Sequence, residues 1–232
     1  WCLTGREENC AQALRTGGSI DGGHAEYAVA YADGIQPLPH GPDPVDAAVV
    51  MCAGYTVYSG LADIGPRPGE HVAVAGIGGL GHLAVQYAHA LGVRVTAVTG
   101  SADKAQWLLE HGASAVVDPD DERAMEQLAA EALDAIIVCG NALPHRLLEM
   151  LGPYGRISIC GVSDERLSLD ATYVVFNKVS IYGSSHGPRS RLGEALALHG
   201  QSGARAMVET FSLASAIEAV ARVEDGSLRY RA

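Results

Sequence analysis

Short apolar runs rich in β-branched residues alternate with amphipathic stretches from about residue 71 onwards. The runs cover 71–77, 93–99, 113–118, 133–139 and 156–162, and a sixth covers 179–183. Runs that are apolar on both faces, separated by segments of helical period, are typical of a parallel sheet with helices on both sides. The pattern therefore predicts an α/β fold with a doubly wound parallel sheet.

The segment between the first two runs has the period of a helix with one apolar stripe. Its apolar positions recur at spacings of three and four residues, and they are Leu80, Leu83, Ala84, Tyr87, Ala88 and Leu91. Gly92 follows directly, as is typical of a helix end. The sequence thus predicts a strand, a turn and a helix in succession.

The turn between that strand and that helix is rich in glycine. The first glycine permits a tight turn, the second lets the backbone approach a pyrophosphate, and the third lets helix and strand pack closely. A bound anion would meet the free N–H groups at the start of the helix. Residues 71–162 are therefore predicted to form a Rossmann unit whose cofactor-binding turn contains Gly76, Gly78, Gly79, Leu80 and Gly81.

The end of the second run predicts which dinucleotide binds. Sites for NAD usually carry an acidic residue about twenty positions beyond the glycines, but this run ends at Thr99, followed by Ser101 and Lys104. Two hydroxyl groups and an ammonium group could hold a 2′-phosphate, which favours NADP(H) over NAD(H). The alternative is that Thr99 and Ser101 only cap the next helix and that Lys104 is a solvated surface residue.

The regions on either side of this unit have a different pattern. Residues 17–39 are rich in glycine and proline and contain short alternating pieces such as 24–31, which predict small strands of another module. Residues 43–60 and 213–222 predict helices, and 206–211 predict a strand. We therefore expect a Rossmann unit of residues 61–190 inserted in an outer domain formed by residues 1–60 and 191–232.

Composition and charge exclude several classes of function. The net charge is −11 and only two of the sixteen basic residues are lysines, so nucleic acid is not an expected partner. Apolar runs such as 132–139 are too short to cross a bilayer, so no membrane partner is expected. Five scattered cysteines do not form a secreted disulfide framework and fit a reducing cytoplasm.

Three of the cysteines are candidate metal ligands. Cys2 and Cys10 are separated by seven residues, which by spacing alone is half of a four-ligand structural zinc site. Cys52, considered by itself, is better explained as a buried apolar cysteine before a helix. The spacing therefore leaves the role of all three open.

Taken together, these segments resemble the zinc-containing alcohol dehydrogenases of the medium-chain dehydrogenase/reductase superfamily. The resemblance covers essentially the whole chain and includes the glycine turn, Cys2, Cys10, 21–27, 37–39, 52–58, 109–113, 155–156, and 183–184 with Gly187 and Arg189. It implies a Rossmann sheet inserted in a partial, mainly β GroES-like catalytic domain. The N-terminal portion of the family has no counterpart, so we expect the chain to be a fragment.

The resemblance implies metal-binding roles for the three cysteines. Cys52 matches a ligand of the catalytic zinc, and Cys2 and Cys10 match two ligands of the structural zinc. None of the histidines is assigned to zinc, because none has a metal-binding spacing.

The resemblance also implies cofactor contacts. Thr56, on the same predicted helical face as Cys52, matches the threonine that packs against the nicotinamide. Gly161 and Val162 match the segment that meets the nicotinamide ring, and Arg231 matches an arginine that reaches the pyrophosphate. The position of Gly161 and Val162 agrees independently, because open parallel sheets bind ligands at the carboxyl ends of their strands.

The implied activity is that of a zinc-dependent alcohol dehydrogenase or aldehyde reductase. Such an enzyme transfers a hydride between NAD(P)(H) and a primary or secondary alcohol or an aldehyde. We expect the fragment itself to be inactive, and the family implies a homodimer or homotetramer paired through residues 179–183. Two alternatives are a zinc-free quinone or enoyl reductase of the same superfamily and a non-catalytic NADPH-binding protein.

Overall fold

The computed structural model describes residues 1–40, 43–140, 145–163, 168–228 and 230–232. Six parallel strands form one sheet in the order β3-β2-β1-β4-β5-β6. They are β1 His71–Ala75, β2 Arg94–Val98, β3 Ala115–Val117, β4 Leu133–Val138, β5 Leu151–Ile159 and β6 Ser180–Gly183. The predicted doubly wound sheet is confirmed, and the strand order reverses between β1 and β4, where such sheets open a ligand crevice.

Helices cover both faces of the sheet. The helix over 44–64 has three parts, which are α1 Pro44–Val49, a π-helical turn Val50–Gly54, and α2 Tyr55–Ile64. The others are α3 Gly81–Ala90, α4 Ala105–Glu110, α5 Glu122–Ala129, α6 His145–Leu148, α7 Ala171–Asn177, α8 Arg189–Ser202 and α9 Ala216–Glu224. Short 3₁₀ turns cover Cys2–Thr4, Glu7–Asn9, Ala32–Gly34, Ala102–Lys104 and Leu213–Ser215.

Alternate residues of each central strand enter two separate apolar cores. On one face, Val72 and Val74 of β1 pack with α2 and α3, while Ala73 and Ala75 face the other core with α5 and α6. All five residues of β1 are buried. Because both faces of this central strand are covered, it appears in the sequence as a nearly continuous apolar run.

The first helix after the glycine turn is buried on all sides. Every residue from Gly81 to Ala88 is buried, including the full side chain of Tyr87. The prediction of a single apolar stripe was therefore wrong, because α2 and α8 pack against α3 in addition to the sheet. Gly92 adopts a φ of +80°, in agreement with its predicted place after the helix end.

The helix over 44–64 begins as predicted and runs further. The Asp43 carboxylate accepts a hydrogen bond of 3.0 Å from the Val45 N–H, and Pro44 occupies the first turn. By length and composition this 21-residue stretch could cross a membrane, but 61% of its most apolar part is buried inside the protein. It is therefore a core helix, longer than the apolar runs predicted from the sequence pattern. The predicted domain boundary at residue 60 falls within it, and the division into domains stays a prediction.

The small strands predicted outside the Rossmann unit are absent from the described residues. Residues 1–40 contain one isolated bridge, between Thr16 and Ile20, and residues 24–31 are exposed. Residues 206–211 likewise contain only a bridge from Val208 to Arg231. A strand needs a neighbouring strand to satisfy its N–H and C=O groups, and the described residues supply none to these segments. The strands predicted for 24–31 and 206–211 are therefore not formed.

Two glycines let α2 and the preceding turn pack closely on the core. A Cβ atom at Gly60 would lie 2.6 Å from Ser158 Oγ and 2.7 Å from Cys160 Sγ, on β5 and just after it. A Cβ atom at Gly54 would lie 2.7 Å from the Tyr87 hydroxyl oxygen. All three distances are too short for a real contact, so a side chain at Gly60 would push α2 off the sheet and one at Gly54 would displace Tyr87.

We predict that Gly60→Ala lowers the free energy of unfolding by about 1–3 kcal/mol through overpacking, measured by urea denaturation. Gly193→Ala on α8 is the matched control. Its Cβ atom would meet only the end of the flexible Gln36 side chain, at 3.3 Å, so unchanged or slightly raised stability is expected. Equal stability of the two variants would contradict the packing explanation.

Candidate functional site

The glycine turn joins β1 to α3 at the point where the strand order reverses. Gly76 has a φ of +87°, and a Cβ atom there would collide with the backbone of Gly140. A Cβ atom at Gly81 would collide with the carbonyl of Gly76. By contrast, the Cβ position of Gly78 has no atom within 4 Å. The outer glycines thus serve packing, while the middle one faces open space that a phosphate could enter.

Glycines also end the two neighbouring strands at this edge. Gly140 follows β4, and its Cβ position lies 3.2 Å from the Cα atom of Gly76. Gly161 follows β5, and a Cβ atom there would collide with the Gly140 carbonyl. Val162 beside it is 90% exposed. The sequence analysis did not single out Gly140; the signal available was that β4 and β5 each end in the same Cys-Gly pair.

His82 connects the glycine turn to the segment after α8. The imidazole is fully buried in the first turn of α3. Its Nδ1 donates to the carbonyl of Gly78 at 3.1 Å, and its Nε2 accepts from the Met207 N–H at 3.3 Å. Since Gly78 O can only accept and Met207 N–H can only donate, the ring is neutral with its proton on Nδ1. Burial lowers the pKa of His82 to about 4.

Arg231 lies at the glycine turn. Its Nε donates to the carbonyl of Gly79 at 3.2 Å. A Cβ atom at Gly79 would lie 2.8 Å from the Arg231 guanidinium carbon and 2.9 Å from the Tyr230 carbonyl oxygen. The glycine at position 79 therefore leaves room for the last residues of the chain beside the turn.

The three residues expected to hold a 2′-phosphate are divided between two places. The Thr99 hydroxyl accepts from the Ser101 N–H at 3.2 Å, so these two residues form a local turn after β2. The Lys104 ammonium instead donates to the Ile77 carbonyl at 2.7 Å, within the glycine turn. Sequence reasoning missed Asp118, which follows β3 and places its carboxylate 3.7 Å from the Cβ position of Gly100.

Thr56 is buried between α2 and the residues that follow β6. Its hydroxyl donates to the Ser185 carbonyl at 2.6 Å, and its own carbonyl accepts from the Ser184 hydroxyl at 3.3 Å. The side chain is 6% exposed. Thr56 thus fixes the loop after β6 at the carboxyl edge of the sheet, the same edge that carries the glycine turn.

Cys52 is exposed on the π-helical turn Val50–Gly54. Single π-helical turns within α-helices often occur at functional sites. Cys52 lines a cleft of about 880 Å³, whose other walls include Val49, Phe211, Val220 and Arg231. Arg231 lines this cleft and also donates to the Gly79 carbonyl, so one side chain borders both the cleft and the glycine turn.

The cysteines do not complete a metal site by themselves. Cys2 is exposed and Cys10 is partly exposed, at the ends of the two 3₁₀ turns near the start of the chain. Nowhere in the part of the chain that the structure describes do three or more histidine, cysteine or acidic side chains converge as metal ligands. Since zinc in proteins takes three or four protein ligands, the described residues alone do not fit a zinc ion.

The six-stranded parallel sheet and its glycine turn define a Rossmann-type protein. The family model described as zinc-binding dehydrogenase matches residues 79–201. An alcohol dehydrogenase of Geobacillus stearothermophilus is 37% identical over 235 residues, covering 100% of this chain and 69% of the relative. The chain therefore belongs to the zinc-type alcohol dehydrogenases of the medium-chain dehydrogenase/reductase superfamily.

Two further relatives describe the same family. The aldehyde reductase AdhA of Synechocystis sp. is 34% identical over 232 residues, covering 99% of this chain and 69% of the relative. The solved structure of a cinnamyl alcohol dehydrogenase from Sorghum bicolor superposes with a TM-score of 0.75 at 33% identity. That match covers 83% of this chain and 56% of the Sorghum chain, so this chain spans little more than half of that relative.

The buried His82 predicts a pH dependence of stability. Its pKa is about 4 in the folded protein and 6.5 ordinarily, so the unfolded chain binds the proton more readily between these values. As pH falls from 6.5 to 4, His82 should therefore reduce the free energy of unfolding by about 3 kcal/mol. Chemical denaturation at several pH values should show that the free energy of unfolding falls less steeply with decreasing pH in His82→Gln than in the unmodified protein.

The comparison between variants isolates His82, because burial also lowers the pKa of His71 and His199. His145→Gln, which changes an exposed histidine on α6, is the control and should keep the decline of the unmodified protein. An equally steep decline in His82→Gln would show that His82 is not the group responsible.

Proposed function

We propose that this chain carries the cofactor site of a zinc-dependent alcohol dehydrogenase or aldehyde reductase. Such an enzyme transfers a hydride between NAD(P)(H) and a primary or secondary alcohol or an aldehyde. The observation that carries the proposal is that Arg231 lines the same cleft as Cys52 and also donates a hydrogen bond to the Gly79 carbonyl in the glycine turn. The cleft would bring a substrate-side cysteine and a cofactor-side arginine to one continuous space.

The residues present fit a nicotinamide dinucleotide. The open Cβ position of Gly78 and the ten-residue helix α3 would receive the pyrophosphate, with Arg231 as its cation. Gly161 and Val162 would border the nicotinamide at the carboxyl end of β5, with Thr56 on the adjacent helix. When bound, the nicotinamide supplies the hydride acceptor or donor. The role of these residues is to orient its ring toward the cleft and to exclude water from one side.

We assign zinc binding to a site that this chain only partly supplies. Cys52 would contribute one thiolate to the catalytic zinc, and Cys2 and Cys10 would contribute two of the four structural ligands. No further ligands converge on these cysteines among the described residues. The remaining ligands would therefore belong to the part of the relatives' length that this chain does not span, and the chain alone should not turn over alcohols.

The cofactor is proposed to be NADP(H) rather than NAD(H). Thr99 replaces the carboxylate that would repel a 2′-phosphate at the end of β2. Lys104 lies three residues after Ser101, and its ammonium adds positive charge at the glycine turn. Asp118 opposes this preference, because its carboxylate lies near Gly100.

We predict that the chain binds NADPH more tightly than NADH, as measured by the fluorescence of the bound nicotinamide. Lys104→Met should weaken NADPH binding by about tenfold through loss of a charge-assisted contact. Lys178→Met changes the other lysine, whose ammonium donates to the Tyr154 hydroxyl at 2.9 Å. This control variant should bind NADPH with the affinity of the unmodified chain. Asp118→Asn should raise the affinity for NADPH relative to NADH. Tighter binding of NADH than of NADPH would contradict the assignment of NADP(H) as the cofactor.

For the metal, we predict that Cys52→Ser in the full native polypeptide abolishes alcohol oxidation and removes one zinc per subunit, measured by elemental analysis. Met51→Leu changes the exposed neighbour of Cys52 on the same π-helical turn. This control variant should retain both alcohol oxidation and the bound zinc. Activity retained in Cys52→Ser would favour the zinc-free quinone or enoyl reductase. Tight NADPH binding without turnover in the unmodified polypeptide would favour the non-catalytic binding protein.

The proposed enzyme is a homodimer or homotetramer in the cytoplasm. Apolar side chains are exposed on α7 and on the edge strand β6, namely Val175, Phe176, Ile181 and Tyr182. Pairing of two β6 edges would cover them, and light scattering on the purified protein tests this. The five free cysteines fit a reducing compartment.

A further inference from the structure

Tyr230 adopts a backbone conformation that favours glycine. Its φ is +70°, in the left-handed region, which costs a residue with a side chain about 1 kcal/mol. Among the described residues only Tyr154 and Lys178 share this feature without being glycine. Strain of this kind persists where the surrounding contacts require it, and it concentrates at functional sites.

The backbone beside Tyr230 is fixed from two sides. On one side, the Tyr230 carbonyl and the Arg231 side chain contact the glycine turn at Gly79. On the other side, Arg231 pairs with Val208, and its carbonyl accepts from the Glu209 N–H at 3.0 Å. The left-handed turn therefore belongs to a segment held against the glycine turn, rather than to a loose chain end.

The Tyr230 ring lies beside the other cation of the turn. The ammonium of Lys104 is 5.3 Å from the centre of the ring, within the range of a cation–π interaction. The same ring packs at 4.9 Å from the His82 ring and at 5.8 Å from Trp107. Lys104 is thereby held between the aromatic face and the Ile77 carbonyl that accepts its hydrogen bond.

We infer that Tyr230 is a positioning residue of the dinucleotide site, which fixes Lys104 and Arg231 on either side of the glycine turn to bind the phosphates of the cofactor. The inference rests on the proposed dinucleotide function. The left-handed turn directs the Tyr230 ring toward Lys104 and His82 while the next side chain reaches Gly79. Glycine would adopt this turn without strain, but it would supply no ring to hold Lys104.

The experiment compares two variants with a matched control. Tyr230→Phe keeps the aromatic face, and Tyr230→Gly removes it while permitting the same backbone turn. Tyr154→Gly is the control, because Tyr154 also has a positive φ, +62°, and the Lys178 ammonium lies 5.0 Å from its ring centre. Tyr154 lies early in β5, whereas the glycine turn follows the carboxyl end of β1. Dissociation constants for NADPH and NADH are measured by fluorescence, below the melting temperature of each variant.

We expect Tyr230→Gly to raise the dissociation constants of both dinucleotides by about three- to tenfold. Tyr230→Phe and Tyr154→Gly should have dissociation constants within about twofold of those of the unmodified chain. In the Lys104→Met background, the effect of Tyr230→Gly should shrink, since the two residues act through one contact. A merely structural Tyr230 would show no such coupling.

The remaining outcomes separate the two proposals. Unchanged affinity in Tyr230→Gly, or full additivity with Lys104→Met, overturns the positioning role and leaves dinucleotide binding in place. Absence of binding by the unmodified chain overturns both.

Discussion

Close contact between backbones at the carboxyl edge of the sheet is the constraint on which the rest of the structure depends. Gly76, Gly140 and Gly161 follow three neighbouring strands, and a Cβ atom at each would come within 3.2 Å of the backbone of another of the three. With side chains at these positions, β1, β4 and β5 could not converge. The crevice at the reversal of strand order would then be filled by the protein rather than open to a ligand.

The polar groups around this edge are satisfied by neighbours from distant parts of the chain. His82 bonds the turn to Met207, Lys104 caps the carbonyl of Ile77, and Arg231 caps that of Gly79. The carbonyls of Ile77, Gly78 and Gly79 are thus held by protein donors, while the Cβ position of Gly78 faces open space. This division suits an anion, because cations surround the turn without occupying the space in front of Gly78.

The sequence predicted most of the sheet, because the central strands β1, β2 and β4 are buried on both faces along most of their length and are therefore largely apolar. It predicted less where tertiary contacts decide the outcome. The period of α3 could not reveal that α2 and α8 also pack against it, and the alternation over 24–31 could not reveal that no described strand pairs with it. In the site, spacing identified Gly76, Gly78 and Gly81, but Gly140, Asp118 and Tyr230 lie outside any local motif. Their places depend on contacts with residues far away in the chain.

The long apolar helix over 44–64 has a consequence for the synthesis of the protein. Its cover comes from residues made later, namely α3, β5 and, last, α8 at Arg189–Ser202. At a translation rate of about 5–20 residues per second, the ribosome needs roughly 10 s to supply that final cover. During this interval the nascent chain presents a segment as apolar as a membrane span. Until α8 has been made, chaperones or an early association with α3 must therefore shield the apolar helix over 44–64 from water.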